Sequence, residues 1–192
     1  MLYSDLRRED NYNEYLRLSQ NDDYLDVTFD EESGGVSAVH KLHKFGKQRG
    51  IGGVCRGDYE RIVLAVLRED GHRIVLEEET NIPGVKSFDG YLDDEPMEIK
   101  AIEGSGTWTI SSKLLNSVKQ HAKRVILYFP KEDLYSVDRV REGIRLSESN
   151  PNGDVHGSLS DIWVVVKDHL EARWNKKATP IEGWSVWEGL RR

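Results

Sequence analysis

The sequence predicts an α+β domain: an N-terminal helical and loop segment, then a helix, a three-stranded antiparallel meander, a helix, a strand, a helix and a strand, forming one central sheet. Three observations carry this. Short β-rich segments around residues 72–103 are separated by turn signals at Pro83-Gly84 and Asp93-Asp94-Glu95-Pro96. Segments with helical apolar spacing stand on either side of them. Two nearly continuous apolar runs, Val125 to Phe129 and Ile162 to Val166, have the length of strands, and the first has the composition of a central one.

The elements follow in order. Residues 1–35 form an acidic N-terminal extension, in which Tyr12, Tyr15, Leu16 and Leu18 can share one side of a short helix and Asp26 to Phe29 a short strand; Ser33-Gly34-Gly35 punctuates the chain. The second unit, residues 36–192, holds the core. Its start is basic, and Gly46, Gly50, Gly52, Gly53 and Gly57 mark residues 46–57 as a flexible loop. Asp58 is placed to cap a helix reaching Glu69, with Ile62, Val63, Val66 and Leu67 as its apolar face. Asp70-Gly71 ends it. Strands are expected over His72 to Glu79, Lys86 to Leu92 and Met97 to Glu103, and short turns between them favour antiparallel pairing. Gly104-Ser105-Gly106-Thr107 breaks the sheet. Thr109 can cap a helix reaching Lys123, with Leu114, Leu115 and Val118 inward and Lys113, Lys119 and Lys123 outward. A central strand is expected over Arg124 to Pro130, then a helix from Ser136 to Ser147, a turn at Asn150 to Gly153, and a strand over Ile162 to Val166. Trp174, Trp184 and Trp187 in the tail read as anchors on the core. No internal repeat is visible.

Composition narrows the function classes. With 38% hydrophobic residues in 192, the chain can build a sizeable core, which excludes wholesale disorder. No apolar run approaches the roughly 18–20 residues of a membrane helix, and no basic-then-apolar leader precedes the acidic start. Action in the cytoplasm, without a membrane partner, is therefore expected. A single cysteine, Cys55, excludes an internal disulfide and a cysteine-rich zinc site. The net charge of −7 belongs wholly to residues 1–35, where ten acids face three arginines; the other 157 residues balance. Val36 to Gly57 carries Lys41, Lys44, Lys47, Arg49 and Arg56 and no acid. Such a segment can engage phosphates, or it can neutralise the acidic extension.

The sharpest chemical pattern is Asp89-Gly90 followed by Met97-Glu98-Ile99-Lys100. Side chains on a strand alternate, so Glu98 and Lys100 share one face and the apolar pair Met97 and Ile99 turns to the core. Asp89, on the partner strand, can come opposite them. Two carboxylates and an ammonium group on one exposed face can act on a phosphodiester, as base and as stabiliser of the phosphorane, or can hold a divalent ion. The competing reading is a solvated cross-strand pair. Glu60 and Gln120, on the flanking helices, can complete the group. The amides of Gly104, Ser105, Gly106 and Thr107 can receive a phosphate, helped by Lys41 and Lys44. His40 and His43, three residues apart, can share a helical face and either pair on a metal or serve as acid and base. No further Cys or His nearby completes a zinc set. His121 is a secondary candidate, and Cys55 lacks an evident base.

Three family resemblances rest on these residues. The stretch Asp26-Val27-Thr28-Phe29-Asp30 with Ser33 to Lys41 and His43 resembles a segment near the C-terminus of prophage head-morphogenesis proteins, ahead of a nuclease-like domain. Tyr59-Glu60, Gly71, Asp89-Gly90, Glu98-Ile99-Lys100, Lys119-Gln120 and the strand Val125 to Phe129 are similar to the C-terminal nuclease domains of CdiA-type contact-dependent inhibition toxins, grouped with the barnase–EndoU–colicin–RelE ribonucleases. Together the two cover residues 26–168. They imply a toxin-like ribonuclease of a mobile element, cleaving tRNA or other RNA without a metal, with an immunity or phage structural protein as partner. The order of elements with Asp89, Glu98, Lys100 and Gln120 is also similar to the PD-(D/E)XK nucleases, with Phe88 where that family often has proline. That resemblance implies Asp89 and Glu98 as Mg²⁺ ligands, Lys100 as catalytic lysine, Glu60 as auxiliary acid, Gln120 as orienting residue, and DNA as substrate. A third class stays open: a non-enzymatic phage accessory or interaction module on a nuclease-like scaffold.

Overall fold

The structure, a computed structural model, describes residues 3–78, 88–150, 153–176 and 184–188. The expected turns at Pro83-Gly84 and Pro151-Asn152, and Lys86-Ser87 of the second meander strand, lie outside them.

One mixed nine-stranded sheet runs through the molecule in chain order. Helix α1 (Tyr3–Ser19) precedes β1 (Tyr24–Phe29) and β2 (Val36–His40). Helix α2 (Arg56–Glu69) leads into β3 (Arg73–Leu76), β4 (Gly90–Leu92) and β5 (Glu95–Ala101). Then come α3 (Thr107–Lys119), β6 (Arg124–Phe129), α4 (Val137–Glu148), the short α5 (Val155–Ser158), β7 (Asp161–Val166), β8 (His169–Lys176) and β9 (Trp184–Glu188). The meander β3-β4-β5 is antiparallel, as the short turns require. Strands β5, β6 and β7 are parallel, and β2 is parallel to β3. It follows that β2, β3, β5, β6 and β7 all point one way.

Helices cover both faces. Alternation along β6 shows the division: Val125, Leu127 and Phe129 pack under α3 and α4 with Ile110, Leu114, Val140 and Ile144, whereas Ile126 and Tyr128 pack against α2 through Tyr59, Val63 and Leu67. A smaller cluster of Leu18, Ala38 and Val75 seats α1 on the face opposite α2. Close approach of α3 and α4 needs Gly143, where a Cβ would lie 2.6 Å from Ile110. Gly90 is equally constrained, since a Cβ there would lie 2.0 Å from the Val75 carbonyl oxygen.

Several boundaries differ from expectation, each for a local reason. Helix α2 starts at Arg56 with Cys55 as its cap residue, and Asp58 sits in the first turn, where its charge suits the helix dipole. Helix α3 starts at Thr107 after Gly106 and stops at Lys119, because His121 takes a left-handed backbone (φ 64°). Strand β4 begins only at Gly90. The meander turn is tighter than expected: Asp93 and Asp94 are both left-handed (φ 46° and 68°), so Glu95 and Pro96 already belong to β5. Residues 46–57 are not a plain loop, since the chain is pinned back on itself by Gly57 N–H to the Gly46 carbonyl (2.8 Å) and Arg56 N–H to that of Gln48 (2.9 Å). The tail extends the sheet as β8 and β9, with Trp174 buried; the side chains of Trp184 and Trp187 lie outside the description. Strand β2 has no counterpart in the sequence reading.

A polar hub joins the distant parts. Asp93 accepts hydrogen bonds from Arg7 of α1 (2.7 Å), from His72 Nδ1 (2.7 Å) and from the Arg73 amide (2.9 Å). Arg124 bridges Asp93 (3.5 Å) and Asp161 (3.0 Å). Burial raises the Asp93 carboxyl, but the His72 hydrogen bond and the charges of His72 and Arg7 outweigh it and hold the group well below the usual carboxylate range. A depressed carboxyl stabilises the fold above its unfolded-state value, near pH 4, and this is lost as pH falls through the folded-state value. Asp93→Asn is expected to cost about 2–3 kcal/mol in urea unfolding at pH 7, somewhat less than a fully buried pair because Asp93 is partly exposed. The difference from the unsubstituted chain should shrink on acidification.

Candidate functional site

The site forms where β4 and β5 meet beneath α3. Register places Gly90 opposite Met97, so Asp89 stands opposite Glu98. Met97 is buried against α2, as alternation requires, and Glu98 and Lys100 point to the other face. That face is not the open one expected. Glu98 is 0% exposed, and its carboxylate forms an ion pair with Lys100. The ammonium group also donates to Gln120 Oε1 (3.1 Å) at the end of α3. Glu98, Lys100 and Gln120 are thus brought together as expected, but under a helix rather than in solvent.

Asp89 approaches the same strand from its edge. Its Oδ2 accepts the Ile99 amide at 2.7 Å, taking the bond that a continued β4 backbone would have taken. Burial pushes the carboxyl above its ordinary value, and the charge of Glu60 adds to this; Lys100, the Ile99 amide and His43 oppose it. Asp89 therefore lies between two charged groups, Glu98 with Lys100 on one side and His43 with Glu60 on the other.

The second group sits at the end of the sheet toward which β2 and β3 run. Asp89 precedes the reversed β4 and lies at that end too, its carbonyl accepting the Glu77 amide (2.9 Å). His43, whose side chain is 1% exposed, lies 2.9 Å from Glu60 Oε2 through Nε2 and 2.8 Å from the Glu77 carbonyl oxygen through Nδ1. Phe45 packs edge-on against the ring. Burial alone would lower the His43 value, but the Glu60 hydrogen bond, the Glu77 carbonyl and the charges of Glu60 and Asp89 prevail and raise it. Both ring nitrogens face acceptors, which favours the imidazolium.

Other candidates stand apart. His40 and His43 do not share a helix: His40 ends β2, packs edge-on against Tyr24, and its Nδ1 accepts the Leu42 amide (3.3 Å). Lys41 pairs with Asp23 (2.6 Å), so one member of the basic segment does neutralise the acidic extension. Lys44 is exposed. In the turn from Gly104 to Thr107, the Gly104 and Gly106 carbonyls receive Arg139, and Ser105 is exposed. His121 is exposed past the end of α3.

One feature of the site was not anticipated. A cleft of about 350 Å³ beside the Glu98–Lys100 pair is lined by Lys100, Lys113, Asn116, Lys119 and Gln120. Burial, then the like charges of Lys100 and Arg56, lower the Lys113 ammonium value. The signal lay in the spacing: residues 113, 116 and 120 fall on one helical stripe, which marks a shared face rather than scattered outward lysines. Among the described residues, no three His, Cys, Asp or Glu side chains gather as metal ligands, and no helix is long and apolar enough to cross a membrane.

No protein-family model matches the chain, and no curated protein matches it. Among solved structures, a CdiA-CT/CdiI toxin and immunity complex from Burkholderia pseudomallei is similar to it, at 14% identity and a TM-score of 0.44, over 69% of this chain and 84% of that one.

A histidine raised by its partners stabilises the fold fully below its unfolded-state value, near pH 6.5, and this is lost as pH climbs through the folded-state value. Glu60→Gln should therefore cost about 1–2 kcal/mol at pH 6. At pH 9 the cost should be smaller, measured by urea unfolding at both pH values.

Proposed function

We propose that this chain is a nuclease, acting on RNA by a metal-free route, in a toxin-like setting. The observation that carries the reading is Lys100. Its ammonium group is fixed by Glu98 and Gln120 at a cleft flanked by Lys113 and Lys119, with the Asp89 carboxyl close by. A phosphodiester is an anion whose charge grows as the pentavalent state forms, and preset cations act on that growth without reorganising.

The roles follow from burial and charge. Lys100 stabilises the phosphorane, while Glu98 and Gln120 position it. Glu98, with no exposed surface, is ill placed to touch substrate. Asp89 is partly exposed, and its raised carboxyl suits proton transfer near neutrality better than an ordinary aspartate. In RNA, Asp89 takes the 2′-hydroxyl proton, the 2′-oxygen attacks phosphorus, and the bond to the 5′-oxygen of the next nucleotide breaks. The leaving 5′-oxygen takes a proton from solvent water, so a cyclic phosphate and a 5′-hydroxyl result, and Asp89 returns its proton to solvent. His43 and Glu60 tune Asp89 through their charges.

Under the Mg²⁺ alternative, Asp89 and Glu98 would supply oxygen donors, which is the right chemistry for that ion. Glu98 is buried against Lys100, and Asp89 Oδ2 already accepts the Ile99 amide, so this arrangement fits an ion poorly. The sequence resemblance to inhibition toxins supports the toxin-like setting and an immunity or phage structural protein as partner.

Incubating the pure chain with total tRNA and with plasmid, each in EDTA and in Mg²⁺, tests the reading. Loss of tRNA in EDTA is expected. Loss of plasmid only with Mg²⁺ would select the metal-dependent DNA nuclease, and binding without turnover the non-enzymatic module. Lys100→Met combined with Glu98→Gln, which strands no buried charge, should reduce cleavage about 10²–10³-fold with the circular dichroism spectrum unchanged. Asp89→Asn should flatten the acid limb of the pH–rate profile. Full activity in both variants would remove the mechanism.

A further inference from the structure

Trp108 is the most exposed of the large apolar side chains among the described residues, at 66%, while Trp163 and Trp174 are buried. It stands in the first turn of α3, whose inner face is fixed in the core by Ile110 and Leu114. Leaving an indole in water forgoes one of the largest burial gains a side chain offers, so its surroundings matter. At 100° per residue, Trp108, Ser112, Asn116 and Lys119 share one outward stripe of α3, and Lys113 and Gln120 border it. The stripe from Trp108 to Lys119 is about 16 Å long and ends beside the cleft at Lys100.

We infer that this stripe receives an unpaired stretch of nucleic acid, with one base stacked on Trp108 and phosphates further along the strand on Lys113 and Lys119. The inference deepens the nuclease reading and rests on it for the position of the scissile phosphate at Lys100. Charge complementarity selects the occupant: three lysines line the cleft, and none of the lining residues is an acid. Flat aromatic surface beside cations is what single strands use, because every base offers a π-face once it leaves the helix. In a duplex the bases are stacked inside, and an outward indole meets only sugar and phosphate. Trp108 thus adds a preference for unpaired substrate that lysines alone, which read only backbone charge, do not supply.

Fluorescence anisotropy with the full chain carrying Lys100→Met and Glu98→Gln, in EDTA, tests this on a labelled 12-nucleotide RNA, free and annealed to its complement. Tighter binding of the free strand is expected. Trp108→Ala should weaken that binding about 10-fold, Trp108→Phe should restore most of it, and duplex binding should stay unchanged. Lys113→Ala and Lys119→Ala should each weaken binding and flatten its salt dependence by roughly 0.7 in logarithmic slope. Free-strand binding indifferent to Trp108→Ala, or preference for the duplex, would overturn the inference. Cleavage by the unsubstituted chain is scored separately. No cleavage, with binding that still depends on Trp108, would overturn the nuclease reading and support this one; cleavage with binding indifferent to Trp108 would overturn this inference alone.

Discussion

A carboxylate with no exposed surface, Glu98, is held beneath α3 by the ammonium group of Lys100. Such a charge is costly away from water unless paired, and removing one partner strands the other. The pair therefore ties three things together. Strand β5 must keep the register that places both groups on one face, α3 must stay seated above them, and Gln120 must come at the point where α3 stops. The apolar seat of α3 on Ile110 and Leu114 supplies the rigidity, and the ion pair converts it into a fixed position for one cation.

Around that cation the charge of the molecule is partitioned. Its formal net charge is −7, which on average repels a polyanion. The acids responsible belong to residues 1–35, and contacts to Lys41 and Arg8 show part of that charge balanced locally. The cleft beside Lys100 is lined by cations and amides instead. An anion approaching this face meets the local field, not the mean. Arg7 has a different task, reaching from α1 to Asp93 and fastening the acidic segment to the sheet.

The two carboxylates of the central motif have diverged through environment rather than through residue type. Glu98 is compensated directly by Lys100 and serves to hold it. Asp89 bonds to a backbone amide, sits among charges of both signs, and is raised by burial. The difference between them, one acid paired with an ammonium group and the other bonded to an amide with its carboxyl raised, follows from their surroundings.

Much of this was readable in the chain. The α+β class, the antiparallel meander, the central strand at Val125 to Phe129 and the sharing of a face by Glu98 and Lys100 all depend on periodicity, turn residues and composition, which are local. The His43–Glu60 contact was not readable, nor was strand β2, because each depends on a partner distant in sequence. The spacing of His40 and His43 suggested a helix that tertiary pairing replaced with a strand and a turn. Whether Glu98 would be solvated or covered was likewise open, since alternation assigns a side chain to a face but not what lies over it. Sequence by itself determined which residue types share a strand face; only the tertiary structure decided that α3 closes over that face and turns its lysines to the cleft, because burial is set by packing between elements that the chain brings together from far apart.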